Sequence, residues 1–206
     1  MRGKKPWELL LMRRPRDADF AAGAYVFPGG VAHSEDSQWG DEIAAAAVRE
    51  LFEEVGILLA RDGRRFARDA DSDQIRTLVA GGSSFTQALR SIGLQPALER
   101  LVLLTRWVTP ALLSRRYDVR FYLARLPAGQ TVQAEPGEVA GWVWVTPERA
   151  LRDPAITLVY ATRKVLESVN ADEDATSLIT RTKRLRNVPV VEPRMTRTES
   201  GWEISH

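Results

Sequence analysis

The segment that most restricts this fold is the run 41–55, Asp-Glu-Ile-Ala-Ala-Ala-Ala-Val-Arg-Glu-Leu-Phe-Glu-Glu-Val, followed by Gly56. Ile43, Ala47, Leu51 and Val55 recur every four residues and draw one apolar stripe, as expected of a helix laid on a core. Asp41 and Glu42 suit the positive end of the helix dipole, and Gly56 is placed to close the helix. Glu50, Glu53 and Glu54 stand at i, i+3 and i+4, so their carboxylates project from one side. Like charges gathered there repel one another, and a divalent cation removes the conflict. Magnesium prefers oxygen ligands, keeps several waters and bridges to substrate phosphates. With no cysteine and only two histidines in the chain, a zinc site is poorly served, and Mg²⁺ or Mn²⁺ is the expected ion. The plainer alternative is a solvated acidic face that pairs incidentally with Arg49.

The rest of the chain supplies layers for this helix. The 206 residues, 44% hydrophobic and 27% charged, suit one soluble domain with insertions. Residues 7–13 read as a buried strand, and 24–27 as a short strand stopped by the turn Pro28-Gly29-Gly30. The stretch of about 62–100 reads as a helical insertion, with pieces at 74–80 and 85–92 broken by Gly81-Gly82. Strand signals return at 101–108, 119–126 and 142–145, and 156–169 reads as a final amphipathic helix. The order predicts an α/β protein, a sandwich of helices around a mixed sheet. Residues 1–170 form the expected domain. The segment 171–206 is expected to be a loosely packed C-terminal tail that could dock on a partner subunit.

The run Phe27-Pro-Gly-Gly, then Arg49-Glu-Leu-Phe-Glu-Glu-Val-Gly-Ile, resembles the Nudix box, G-x5-E-x7-R-E-U-x-E-E-x-G-U, where U is a bulky aliphatic residue. The second half matches without a gap. Counting back from Arg49 puts Asp41 where the box has its first Glu, yet ten residues separate Gly30 from Asp41 instead of five. The glycine loop is therefore expected to carry a five-residue insertion, although Asp36 fits the ungapped spacing from Gly30. Leu9-Leu-Leu-Met-Arg-Arg, Arg106-Trp-Val-Thr-Pro and the stretch from Arg115 to Leu123 resemble the coenzyme A diphosphatase branch, which includes members with a lengthened box. Asp19 stands where the usual coenzyme A motif has an Arg.

The resemblance implies a Nudix-type α/β/α sandwich and a metal-dependent hydrolase that cleaves a diphosphate linkage in a nucleoside diphosphate derivative. It implies Glu50, Glu53 and Glu54 as metal ligands, with Glu53 also able to orient the attacking water. Arg49 would hold a carboxylate by a charge-assisted hydrogen bond. A further acid from a distant loop falls on Glu138, with Glu135 as the fallback. Gly29 and Gly30 would let the backbone bend beside the helix, and Arg115, Arg116 and Arg120 are candidates for phosphate contacts. His33 lies on the lengthened loop, and Trp142 or Trp144 could stack an adenine. Coenzyme A or an acyl derivative is the expected substrate. ADP-ribose, a dinucleotide or a nucleotide sugar is the alternative within the same chemistry, and a non-catalytic nucleotide-binding module the alternative outside it.

A net charge of +2 gives no reason to expect nucleic-acid or membrane partners, despite the basic cluster Arg181, Lys183, Arg184 and Arg186. The N-terminal apolar run 9–12 is too short for a signal segment. The expected location is the cytoplasm and the expected partner a small-molecule diphosphate, with a homodimer admissible.

Overall fold

A computed structural model describes residues 1–110, 112, 116–198 and 201–205. In chain order the elements are β1 (Arg2–Gly3), β2 (Trp7–Arg13), β3 (Tyr25–Val26), α1 (Glu42–Val55), β4 (Ala60–Arg61), α2 (Asp69–Ala80), α3 (Phe85–Ser91) and β5 (Gln95–Pro96). There follow β6 (Val102–Val108), β7 (Asp118–Leu123), β8 (Gly141–Val145), α4 (Pro147–Arg152), α5 (Tyr160–Val169), α6 (Ala175–Lys183), β9 (Val190–Val191), β10 (Arg194–Thr198) and β11 (Gly201–Ser205). No helix among the described residues is long and apolar enough to cross a membrane.

Two main sheets frame the molecule. In the first, β2 pairs antiparallel with β1, β3 and β8, with Leu10 opposite Trp144 and Met12 opposite both Trp142 and Val26. In the second, β6 pairs antiparallel with β7 and parallel with β9, which makes this sheet mixed. The Leu-Leu-Leu-Met run of β2 is apolar on both faces because both are covered. Leu9 and Leu11 enter a core with Leu104, Trp107 and Leu166, while Leu10 and Met12 pack with Val55 and Ile57 at the end of α1. A separate core under α2 and α3 gathers Phe52, Leu58, Ile75 and Leu89, and seats the insertion on the back of α1.

The expected helix at 156–169 begins only at Tyr160, because residues 157–158 serve the sheet instead. The Tyr25 amide donates to the Thr157 carbonyl at 2.8 Å, and Leu158 bridges Tyr25 in parallel. The first part of the stretch after Asn170, through α6, packs on the core where a loose appendage was expected. Ala175 and Leu178 of α6 are buried in the main core, and Trp7 Nε1 donates to the Asp172 carbonyl at 3.0 Å. Arg181 is engaged by the Asp172 carboxylate through Nε at 3.1 Å and Nη2 at 2.7 Å, so it is not a free basic charge.

Between β3 and α1 lies a 3-10 helix, Ser34–Trp39. Trp39 at its end reaches the insertion, where its Nε1 donates to Thr86 Oγ1 at 3.1 Å and the Arg90 guanidinium lies over its ring at 5.0 Å.

Candidate active site

Helix α1 is the platform. Its start is capped by Asp41, whose carboxylate accepts from the Ala44 amide at 3.1 Å. At its end Gly56 adopts a left-handed conformation with φ 72° and donates to the Phe52 carbonyl. A Cβ at Gly56 would stand 2.7 Å from Arg76 Nη2 and 2.8 Å from the Gln133 carbonyl oxygen. Conformation and space both require glycine there.

Arg49 is the hub of the site and is only 5% exposed. Its Nη1 donates to Glu50 Oε1 at 2.8 Å and to Glu53 Oε2 at 2.7 Å, and its Nη2 donates to the Val31 carbonyl at 2.8 Å. Nε and Nη2 both reach the Asp36 carboxylate, at 3.1–3.3 Å. Burial works against the Arg49 charge, but the carboxylates of Asp36, Glu50 and Glu53 outweigh it and hold its pKa above the ordinary range.

Asp36, not Asp41, is thus the acid that engages this arginine. It is 2% exposed and also accepts from the His33 amide at 2.8 Å. The extra residues of the lengthened box follow this acid, where the spacing had placed them before it. The 3-10 turn folds the chain back so that Asp36 comes under Arg49, while Asp41 remains a helix cap facing Arg120 at 3.8 Å.

The Gly29-Gly30 loop crosses the carboxylate face of α1. The Gly29 amide donates to Glu54 Oε2 at 2.7 Å. A Cβ at Gly30 would overlap the Glu50 carboxylate, lying 2.5 Å from its Cδ. Gly30→Ala is therefore expected to displace that carboxylate from Arg49. Because only the end of a flexible side chain must move, the thermal midpoint should hardly change, while turnover should fall about tenfold. Parallel melting and rate measurements check this, and full turnover would show that the Glu50 position is immaterial.

Glu54 is 9% exposed. Burial, followed by the charges of Glu50 and Glu138, pushes its pKa up to about 8 against the opposing pull of the Gly29 amide and Arg14. Burial likewise raises Glu53, against the pull of Arg49, with Glu50 adding to the rise and His33 opposing it. Glu138 sits exposed on a turn after the Glu135 amide has bonded to the Glu54 carbonyl at 3.0 Å.

A cavity of about 660 Å³ opens beside this group, with Arg14, Gly29, Gly30, Phe27 and Leu51 in its walls and Arg116 and Arg120 towards β7. Arg116 also contacts Glu192 at 3.4 Å and the Thr109 carbonyl at 3.3 Å. Arg115 lies outside the described residues. Trp144 lines the cavity under the Arg2 guanidinium at 4.6 Å, whereas Trp142 is largely exposed. Arg14 was not singled out from the sequence. Its Nε donates to the Phe20 carbonyl at 2.9 Å, and its charge acts on Glu54.

The acidic side chains of this face, Glu50, Glu53 and Glu54, offer hard carboxylate oxygens, and burial disfavours the charge of Glu54. Among the described residues, no group of three or more acidic or histidine side chains stands close enough together to hold a metal ion by itself.

This chain belongs to the Nudix family, its residues 40–160 matching the model described as the NUDT19 Nudix domain. It is 32% identical over 155 residues to nudix hydrolase 7 of Caenorhabditis elegans, covering 74% of this chain and 51% of that one. It is 26% identical over 207 residues to the acyl-coenzyme A diphosphatase NUDT19 of Xenopus laevis, covering 71% and 54%. The chain thus spans about half the length of these curated relatives. The crystal structure of a NUDIX hydrolase from Alicyclobacillus acidocaldarius superposes with a TM-score of 0.70 and 25% identity, covering 84% of this chain and 87% of the other.

Proposed function

We propose that this chain is a divalent-metal-dependent hydrolase that cleaves the diphosphate linkage of coenzyme A or an acyl derivative. The products would be 3′,5′-adenosine bisphosphate and a 4′-phosphopantetheine fragment. The observation that carries the chemistry is the buried Glu54 carboxylate held by the Gly29 amide at 2.7 Å, with Gly29 itself in the wall of a cavity that Arg14 also lines. The substrate rests on the names of the NUDT19 relatives.

In this reading Glu50 and Glu54 hold Mg²⁺ or Mn²⁺, and Glu53 completes the set or orients the water. Such an ion, when bound, offsets charge on phosphate oxygens and lowers the pKa of a bound water. Arg49, fixed by Asp36, keeps Glu50 and Glu53 in one orientation. Arg14 offers its guanidinium to a phosphate oxygen, with Arg116 at the far wall and Arg115 as a further contact. Glu138 takes the proton of the attacking water. Asp19, standing where the coenzyme A motif has an Arg, favours a second reading in which ADP-ribose, a dinucleotide or a nucleotide sugar is cleaved by the same residues.

The test is hydrolysis with Mg²⁺ or Mn²⁺ and product identification by mass, across coenzyme A, acetyl coenzyme A, ADP-ribose, NADH and dinucleotides. Release of 4′-phosphopantetheine supports the first reading, and turnover of another diphosphate the second. Binding without turnover of any of them would leave a nucleotide-binding module. Glu138→Gln is expected to lower the rate about a hundredfold and to remove one limb of the pH–rate profile. An unchanged profile would take Glu138 out of the proton-transfer role.

A further inference from the structure

Residues 129–135 form no helix or strand, yet they are tied on two sides. Towards α1, the Gln133 amide donates to the Val55 carbonyl at 2.9 Å and the Glu135 amide to the Glu54 carbonyl at 3.0 Å. These bonds satisfy carbonyls that the helix end leaves open. Towards the insertion, Asp69 at the start of α2 accepts from both the amide and the hydroxyl of Thr131, each at 2.9 Å. The buried Gln130 side chain donates to the Ala67 and Leu58 carbonyls and accepts from the Leu58 amide, at 2.7–2.8 Å. Arg76 of α2 donates to the side-chain oxygen of Gln133 and to its carbonyl, while its guanidinium lies over the Phe52 ring at 5.9 Å. The helix that carries the carboxylates and the insertion thus grip the same short loop. Glu138 follows the last grip at Glu135 by one turn, closed by the Glu138 amide on the Glu135 carbonyl.

We propose that the helical insertion acts as a brace: Asp69 and Arg76 are positioning residues that fix 129–135 on the end of α1 and so set Glu138 against Glu54. Neither residue reaches the cavity wall. Their effect on rate rests on the hydrolase reading, whereas their effect on the loop does not.

The experiment combines Arg76→Ala and Thr131→Val, each made in the native chain and in Glu138→Gln. Thr131→Val leaves Asp69 and the Thr131 amide bond in place and removes only the hydroxyl bond, which keeps the test open should Arg76→Ala fold poorly. In the native background kcat should fall, about tenfold for Arg76→Ala and less for Thr131→Val, with substrate KM nearly unchanged. In the Glu138→Gln background the same changes should have almost no further effect, since the brace works through that residue. Equal fold-losses in both backgrounds, or full kcat in a folded Arg76→Ala protein, would overturn the proposal. So would a rise in KM with slowed product release, which is the behaviour of a lid. Amide hydrogen exchange gives a readout independent of turnover: Gln133 and Glu135 should exchange faster in Arg76→Ala while β2 is unchanged. Unchanged exchange there would overturn the brace. A wild-type chain that hydrolyses no diphosphate would overturn the proposed function, and exchange would still decide the brace.

Discussion

Glu54→Gln is expected to lower turnover by about a thousandfold, equivalent to roughly 4 kcal/mol of transition-state stabilisation, while the metal-free protein becomes more stable. The second half of this expectation follows from linkage. Glu54 in the folded, metal-free chain titrates near 8, above its ordinary 4.5. Between those values the folded state retains a proton that the unfolded chain has released. Stability is therefore fully present below about pH 4.5 and falls as pH rises through about 8. Glutamine cannot ionise, so the variant escapes this fall. Its metal-free midpoint should exceed that of the wild type by roughly 5 °C at pH 8, and the difference should close at pH 4.5. Metal affinity of the wild type should rise across the same window, with proton release that calorimetry in two buffers can count. Wild-type turnover by Glu54→Gln, or a lower midpoint at pH 8, would mean that this carboxylate serves the fold rather than a cation.

The second large effect is expected at Asp36. Asp36→Ala removes a carboxylate that is hydrogen-bonded to two nitrogens of a buried guanidinium, leaving Arg49 with only Glu50, Glu53 and one carbonyl. Breaking one partner of a buried ion pair costs about 3 kcal/mol, which lowers the midpoint by roughly 8 °C for a chain of this size. Turnover should fall as well, since Arg49 then loses the contact that fixes its orientation towards Glu50 and Glu53. Asp41→Ala is the control. It removes a helix cap worth about 1 kcal/mol and should leave turnover untouched. A rate loss at Asp41 and none at Asp36 would reverse the assignment made from the geometry.

That assignment marks where sequence pattern stops informing. The helix 41–55 was legible because its stripe, its cap and its closing glycine all point to the same element. Its carboxylate trio was legible because α-helical spacing alone decides which side chains share a face. Which aspartate meets Arg49 was not legible, because counting residues backwards assumes a loop of fixed length. A 3-10 turn can absorb extra residues without moving its ends apart. The segment Ile156-Thr157-Leu158 failed for another reason: so short a stretch fits a helix or a sheet partner equally well, and pairing with Tyr25 decided it. In α6 the apolar signal is only Ala175, Leu178 and Ile179, diluted by surrounding polar and charged residues, so its burial depended on tertiary packing against β6. Arg14 closes the Leu9-Leu-Leu-Met-Arg-Arg motif, but nothing in that pattern tells which carboxylate its charge acts on. Its place beside Glu54 comes from how β2 and β3 bring the two ends of a charged loop together.

The Trp39 contact couples two separate additions to the chain. The lengthened box loop and the 62–100 insertion, far apart in the chain, meet through the Trp39–Thr86 bond and the Arg90 guanidinium over the indole. Trimming the loop alone would leave a hydroxyl and a cation on α3 without their aromatic counterpart. Trimming the insertion alone would strand a tryptophan in water. Loss of either segment removes the contacts it makes with the other, so the two additions are energetically coupled. A chimera that transplants the box should carry both or neither.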